Sequence, residues 1–183
     1  MANQERYTLG VDDEIFPLMV YSATYVAWGD AITKKTIRFL KLLRTPMCPA
    51  YIVLYDARLL PTGASRPLTF PVLHISIADV LVVHPTPPAQ EPYDYSQAEE
   101  NRKMEPMTTV MGAFRLDGKM RISTRTNITQ VLDAAKEPYL PVYDATITSL
   151  GAGENKPLRT QMAVVRRTNT LIAAYSTAAE SGL

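Results

Sequence analysis

Short runs of alternating apolar and polar residues fill most of this chain. Tyr21, Ala23, Tyr25 and Ala27 alternate with Ser22, Thr24 and Val26, the period of a half-buried strand. Gly29-Asp30 then reads as a turn, with a short second strand around 31–36. Further on, Asp117-Gly118 sits between VMGAFRL and KMRIS as a two-residue hairpin signal. After each predicted hairpin the period changes to i, i+3, i+4. Phe39, Leu42 and Leu43 carry it in one place, and Ile128, Val131 and Leu132 in the other, so each predicts a short helix. Thr126 or Asn127 is placed to cap the second helix. Pro46 and Pro138 end the two, because proline has no N–H and clashes with the preceding turn. Strands containing Tyr-Asp-Ala follow, and one or two more strands are expected around 70–83 and 160–174.

The same pattern comes twice. Residues 51–57 read YIVLYDA and residues 139–145 read YLPVYDA, an offset of 88 with four identities in seven. Gly63-Ala64 falls on Gly151-Ala152, and Arg66-Pro67-Leu68 falls on Lys156-Pro157-Leu158 at offset 90. Upstream the offset is 89: Tyr21, Ala23, Tyr25 and Gly29 fall on Val110, Gly112, Phe114 and Gly118. The offset changes only in expected loops, where insertions are tolerated. The pattern therefore predicts a tandem duplication, with β-domain copies at 17–84 and 107–176. An acidic arm at 1–16 precedes them and a tail at 177–183 follows. Between them, 85–106 (PTPPAQEPYDYSQAEENRKMEP) is rich in proline and acids and poor in aliphatics, which reads as a stiff, extended linker. The expected fold is mainly β with one short helix per copy. Two small twisted sheets or partly open barrels would be related by a pseudo-two-fold.

The order strand, turn, strand, short helix, then a strand ending in Asp-Ala resembles a small bacterial β-domain family of unknown function. The matching residues are Gly29, Phe39, Leu42, Leu43, Asp56 and Ala57, and then Gly118, Ile128, Val131, Leu132, Asp144 and Ala145. The resemblance implies a fold and brings no activity or catalytic residues with it. A looser likeness to Sm-like small barrels is not followed, since those place the helix before the first strand; RNA binding is not carried over from them.

Composition narrows the function. The chain has 183 residues, 46% hydrophobic and 20% charged, with a net charge of +1. That is a globular composition without a global excess of charge. By segment the charge is uneven. Both copies are net +4, whereas the arm and the linker are each net −3. Either the acidic segments lie against the basic copies, the favoured reading, or the basic faces bind an anionic partner. The candidate anion- or partner-binding residues are Lys34, Lys35, Arg38, Lys41 and Arg44 around the first helix, with Arg121, Arg125, Arg166 and Arg167 in the second copy.

Catalytic signals are weak. Cys48 is the single cysteine and His74 and His84 are the two histidines, so a Cys- or His-rich metal site is not expected. Asp56 and Asp144, at equivalent strand ends, read as fold-making carboxylates that accept backbone N–H groups. His74 reads as a strand histidine and His84 as a domain-boundary residue. LGAGE at 150–154 has the wrong spacing for a phosphate loop. No cofactor is expected, and no signal peptide or membrane-length apolar run is found. The expectation is a cytoplasmic, non-catalytic structural or adaptor protein that self-assembles or joins a larger complex. The alternative is a nucleic-acid or anionic-surface binder.

Overall fold

The computed structural model describes residues 9–96, 98–150 and 156–174. Residues 1–8 of the acidic arm, the LGAGE loop beyond Leu150 and the tail at 177–183 lie outside the described residues. The elements are β1 (Asp13–Tyr21), β2 (Tyr25–Lys34), α1 (Phe39–Leu43), β3 (Tyr51–Pro61), β4 (Leu68–Ser76), a single 3-10 turn (Ile77–Asp79) and β5 (Val82–Pro85). Then come β6 (Arg102–Met111), β7 (Phe114–Ser123), α2 (Ile128–Ala134), β8 (Tyr139–Ser149), β9 (Leu158–Arg166) and β10 (Leu171–Ala174). The fold is mainly β. Among the described residues no helix is long and apolar enough to cross a membrane. Residues 13–16, expected in the arm, belong to β1, and residues 102–106, expected in the linker, belong to β6.

The expected pair of sheets is instead one open ten-stranded sheet, in the order β10-β6-β7-β8-β9-β5-β1-β2-β3-β4. The strands are antiparallel throughout. Two runs of five strands meet where β5 pairs with β9, Val82 opposite Val165 and Val83 opposite Val164. This pairing makes the sheet continuous. Two-fold symmetry would set like strands against each other, whereas the fifth strand of one run meets the fourth of the other, and the ladder continues unbroken.

The hairpin turns also differ from expectation. The first is at Ser22–Thr24, where the Ser22 hydroxyl accepts from the N–H groups of Thr24 and Tyr25, both at 3.1 Å. The second is at Gly112-Ala113, between β6 and β7. Gly29 and Gly118 lie inside strands, at the bulges where the pairings β2·β3 and β7·β8 shift register. Opposite them Asp56 and Asp144 have left-handed backbones, φ 46° and 50°. The kinked partner strand comes so close that a Cβ on Gly29 would lie 2.7 Å from the Tyr55 carbonyl oxygen. On Gly118 it would lie 2.5 Å from Val142 Cγ1. Each glycine therefore answers to a close approach of backbone, not to a turn. Asp56 and Asp144 sit mid-strand rather than at strand ends, and aspartate is among the few side chains that tolerate this conformation.

The sheet buries apolar residues on both faces. One core holds Leu18, Val20, Ile52, Leu54, Val83 and Val164, covered by Phe39, Leu40 and Leu43 of α1. The other holds Leu116, Met120, Leu140, Val142, Val82 and Val165, covered by Ile128 of α2. Adjacent strand residues point to opposite faces. Val82/Val83 and Val164/Val165 are split between the cores, so the two cores lie on opposite sides of the central strands.

Candidate functional site

The acidic linker lies on both runs. Glu91 is buried, and its carboxylate accepts the N–H of Leu40 at 3.1 Å. That N–H is in the first turn of α1, whose N-cap residue Arg38 makes no side-chain cap. A residue about fifty positions away thus supplies the missing acceptor. Burial raises the Glu91 carboxyl above its ordinary pKa, opposed by the Leu40 N–H and the Arg38 charge. By contrast α2 is capped locally: Asn127 and Gln130 form a reciprocal capping box at 2.9 and 3.1 Å.

Asp94 is the centre of the linker's polar contacts. It pairs with Arg44 at the end of α1 and accepts from the Tyr143 hydroxyl of β8 at 2.5 Å. Burial on its own would raise this carboxyl, but the Tyr143 hydroxyl and the Arg44 guanidinium hold it below its ordinary value. Tyr143 is driven the opposite way, upward, by burial and by the adjacent Asp94 charge. Tyr93, Tyr95 and Tyr143 pack ring on ring, with centroids 4.9 to 5.9 Å apart. The Arg121 guanidinium lies 4.5 Å over the Tyr95 ring and donates to Glu99 at 2.7 Å. Asp144 accepts from Lys119 at 3.1 Å and from the Tyr93 hydroxyl at 3.2 Å.

These contacts absorb most of the candidate cations. Lys34 pairs with Asp13 at 2.6 Å, directly across β1 and β2. That partnership lowers the Asp13 pKa and raises that of Lys34. Lys35 donates to the Val11 carbonyl at 2.9 Å, and Arg38 to that of Tyr93 at 3.2 Å. Arg166 donates to the carbonyls of Ile77 and Ala78, and Arg167 to that of Glu137. Lys41 and Arg125 stay exposed, and neither makes an ion pair among the described residues. The nine residues are spread over several elements, and Arg44 and Arg121 line one cleft.

The two histidines and the cysteine occupy different surroundings. His84, expected at a boundary, is fully buried in β5 at the centre of the sheet. Its Nδ1 lies 2.7 Å from the Pro85 carbonyl oxygen, which can only accept. Nδ1 therefore carries the proton, and Nε2 accepts from the Tyr21 hydroxyl at 3.2 Å. Burial drives its pKa down to about 4. His74 is exposed on β4. Cys48 is half-buried, and burial, which disfavours the thiolate, pushes its thiol pKa up against the opposing pull of Arg166. Among the described residues no three of His, Cys, Asp and Glu are grouped to hold a metal. A cleft of about 500 Å³ runs beside Asp94, which holds Arg44 and Tyr143, and beside Arg121, which donates to Ser96 and Glu99.

The features left open are the two ends of the sheet. Among the described residues β4 pairs only with β3, and β10 only with β6. Leu68 and Val72 on β4, Tyr51 on the neighbouring β3 and Leu171 on β10 are exposed apolar residues at these ends. Two unpaired backbone ladders flanked by apolar side chains are ready sites for strand addition. Compared with protein-family models, with curated proteins and with solved structures, the chain finds no match.

Proposed function

We propose that this chain is a non-catalytic structural protein that self-assembles, or takes its place in a larger protein complex, through the ends of its sheet. The carrying observation is the pair of end strands, β4 and β10, each with one edge unpaired among the described residues and exposed apolar side chains beside it. The proposal includes the tandem duplication, with copies at 17–84 and 107–176. Its support is the recurrence of strand order, of both glycine bulges and of the two left-handed aspartates. The cores correspond as well. Leu18 and Ala27 of the first match Met107 and Leu116 of the second at offset 89. Leu54 matches Val142 at 88, and Ile75 matches Val165 at 90. The reading also places the protein in a reducing compartment, the cytoplasm, in keeping with a lone half-buried cysteine.

The nucleic-acid alternative draws less support, since seven of its nine candidate cations already hold protein acceptors. Size-exclusion chromatography with light scattering over a hundredfold range of concentration tests the main reading. A mass rising above the 20.3 kDa of one chain is expected. A single-chain mass throughout, with no partner in a native purification, overturns it. Tight binding to single-stranded RNA or DNA with a steep salt dependence would favour the alternative.

A further inference from the structure

The junction between the two runs is a template for a contact between molecules. β5 and β10 are corresponding strands, because Val82 and Val83 pair with β1 as Leu171 and Ile172 pair with β6, 89 residues on. β9 and β4 also correspond. Ile75 lies opposite Ile52 and Val165 opposite Leu140, at offsets of 90 and 88. Inside the chain β5 is joined to β9. Among the described residues the ends of the sheet are β10 and β4, the same two kinds of strand left unjoined.

Side-chain exposure follows the same logic. Where the junction exists, Tyr139, Met162 and Val82 are buried, at 0%, 1% and 0%. Their counterparts at the ends, Tyr51, Val72 and Leu171, are 56%, 42% and 73% exposed. His74, in the place of fully buried Val164, is exposed too. The difference lies in whether another run covers the position.

We infer that the chain assembles head to tail, β10 of one copy adding to β4 of the next in the register of the internal junction. Leu171 then lies opposite Ile75 and Ile172 opposite His74. Tyr51 takes the role of Tyr139, whose hydroxyl donates across the internal junction to the carbonyls of Ile77 and Val80 at 3.2 and 3.0 Å. Ser76 stands where Arg166 stands, so the contact between copies lacks the bonds that Arg166 gives to Ile77 and Ala78. It is the weaker of the two junctions and forms reversibly. The interface joins unlike surfaces, so it propagates as a filament unless the rotation per copy closes a ring.

This inference rests on the self-assembly reading, and the test separates them. Val72→Glu blocks the β4 end and Leu171→Glu the β10 end; both side chains are exposed in the single chain, so each variant keeps the fold, checked by circular dichroism and urea midpoint. Wild type is expected to form oligomers, and each variant alone is expected to run as one chain. An equimolar mixture of the two should give a two-chain species, because each supplies the end the other lacks. If wild type assembles but either variant alone still dimerises, or the mixture stays monomeric, the head-to-tail geometry is overturned while self-assembly stands. Wild type that stays a single chain overturns both. Should either variant misfold, oxidation of a Cys48→Ala chain carrying His74→Cys and Ile172→Cys reads the same contact. A ladder of cross-linked chains supports it, and a lone monomer band overturns it.

Discussion

His84 should make the protein lose stability as the pH falls from neutral towards 4. The group is fully buried, and in the folded chain its pKa is about 4 against 6.5 when unfolded. The unfolded chain therefore takes up a proton first. The contribution is whole above pH 6.5 and is lost as the pH falls through the interval from 6.5 to 4. At about 1.36 kcal/mol per pH unit the full loss is about 3.4 kcal/mol, of which about 1.8 kcal/mol falls between pH 7 and pH 5. Other groups titrate near the lower part of that interval. Glu91, with its raised pKa, works in the opposite sense, gaining stability as the pH falls, while Asp94, with its lowered pKa, loses it. The comparison must therefore be made between variants. Urea unfolding of wild type and His84→Gln at pH 7 and pH 5 isolates the histidine. The fall in stability between the two pH values should be smaller in the variant by about 1.8 kcal/mol, whatever its absolute stability. With two histidines in the chain, NMR holds two sets of ring signals, and the variant assigns them. Equal slopes for both proteins, or a folded-state His84 signal titrating near 6.5, would refute the buried neutral imidazole that donates to Pro85 and accepts from Tyr21.

Four further outcomes follow from the fold. Gly29→Ala and Gly118→Ala should each cost about 1–3 kcal/mol of unfolding free energy, since the added Cβ meets backbone or a packed valine; at the opposing left-handed position Asp56→Asn should be nearly neutral and Asp56→Val should cost about 1–2 kcal/mol. Asn127→Ala breaks the capping box of α2 and should lower stability by about 1 kcal/mol, read from thermal or urea midpoints. Asp94→Ala leaves the Tyr143 hydroxyl and the Arg44 guanidinium without their shared acceptor, so it should cost about 1–3 kcal/mol and speed protease cleavage within 86–101.

How much of this the chain displays as sequence depends on the range of the interaction. Alternation and i, i+3, i+4 spacing are local, and both short helices, their proline stops and the two Tyr-Asp-Ala strands are legible from them. The glycines at 29 and 118 are legible as special positions, but their reason is not. A turn and a bulge ask for the same residue, and only the approach of the Tyr55 and Tyr143 backbones tells them apart. The linker's acidic charge between two basic copies reads as a segment that lies against them, without saying where. Tyr93 and Tyr95, set among its acids, were the signal that it docks, since two aromatic rings in a tether have apolar area to bury.

The amino-acid sequence by itself determined the β character, the placing of the helices and the recurrence of a pattern at offsets of 88 to 90. Tertiary structure decided that β5 lies beside β9, that the two cores occupy opposite faces, and that Glu91 and Asp94 hold α1 from a distance. The physical reason is that side-chain periodicity is written within a few residues, whereas the choice of neighbour for a strand edge is a competition among all the edges in the molecule. Val82 and Val165 are 83 positions apart, and nothing in either neighbourhood names the other.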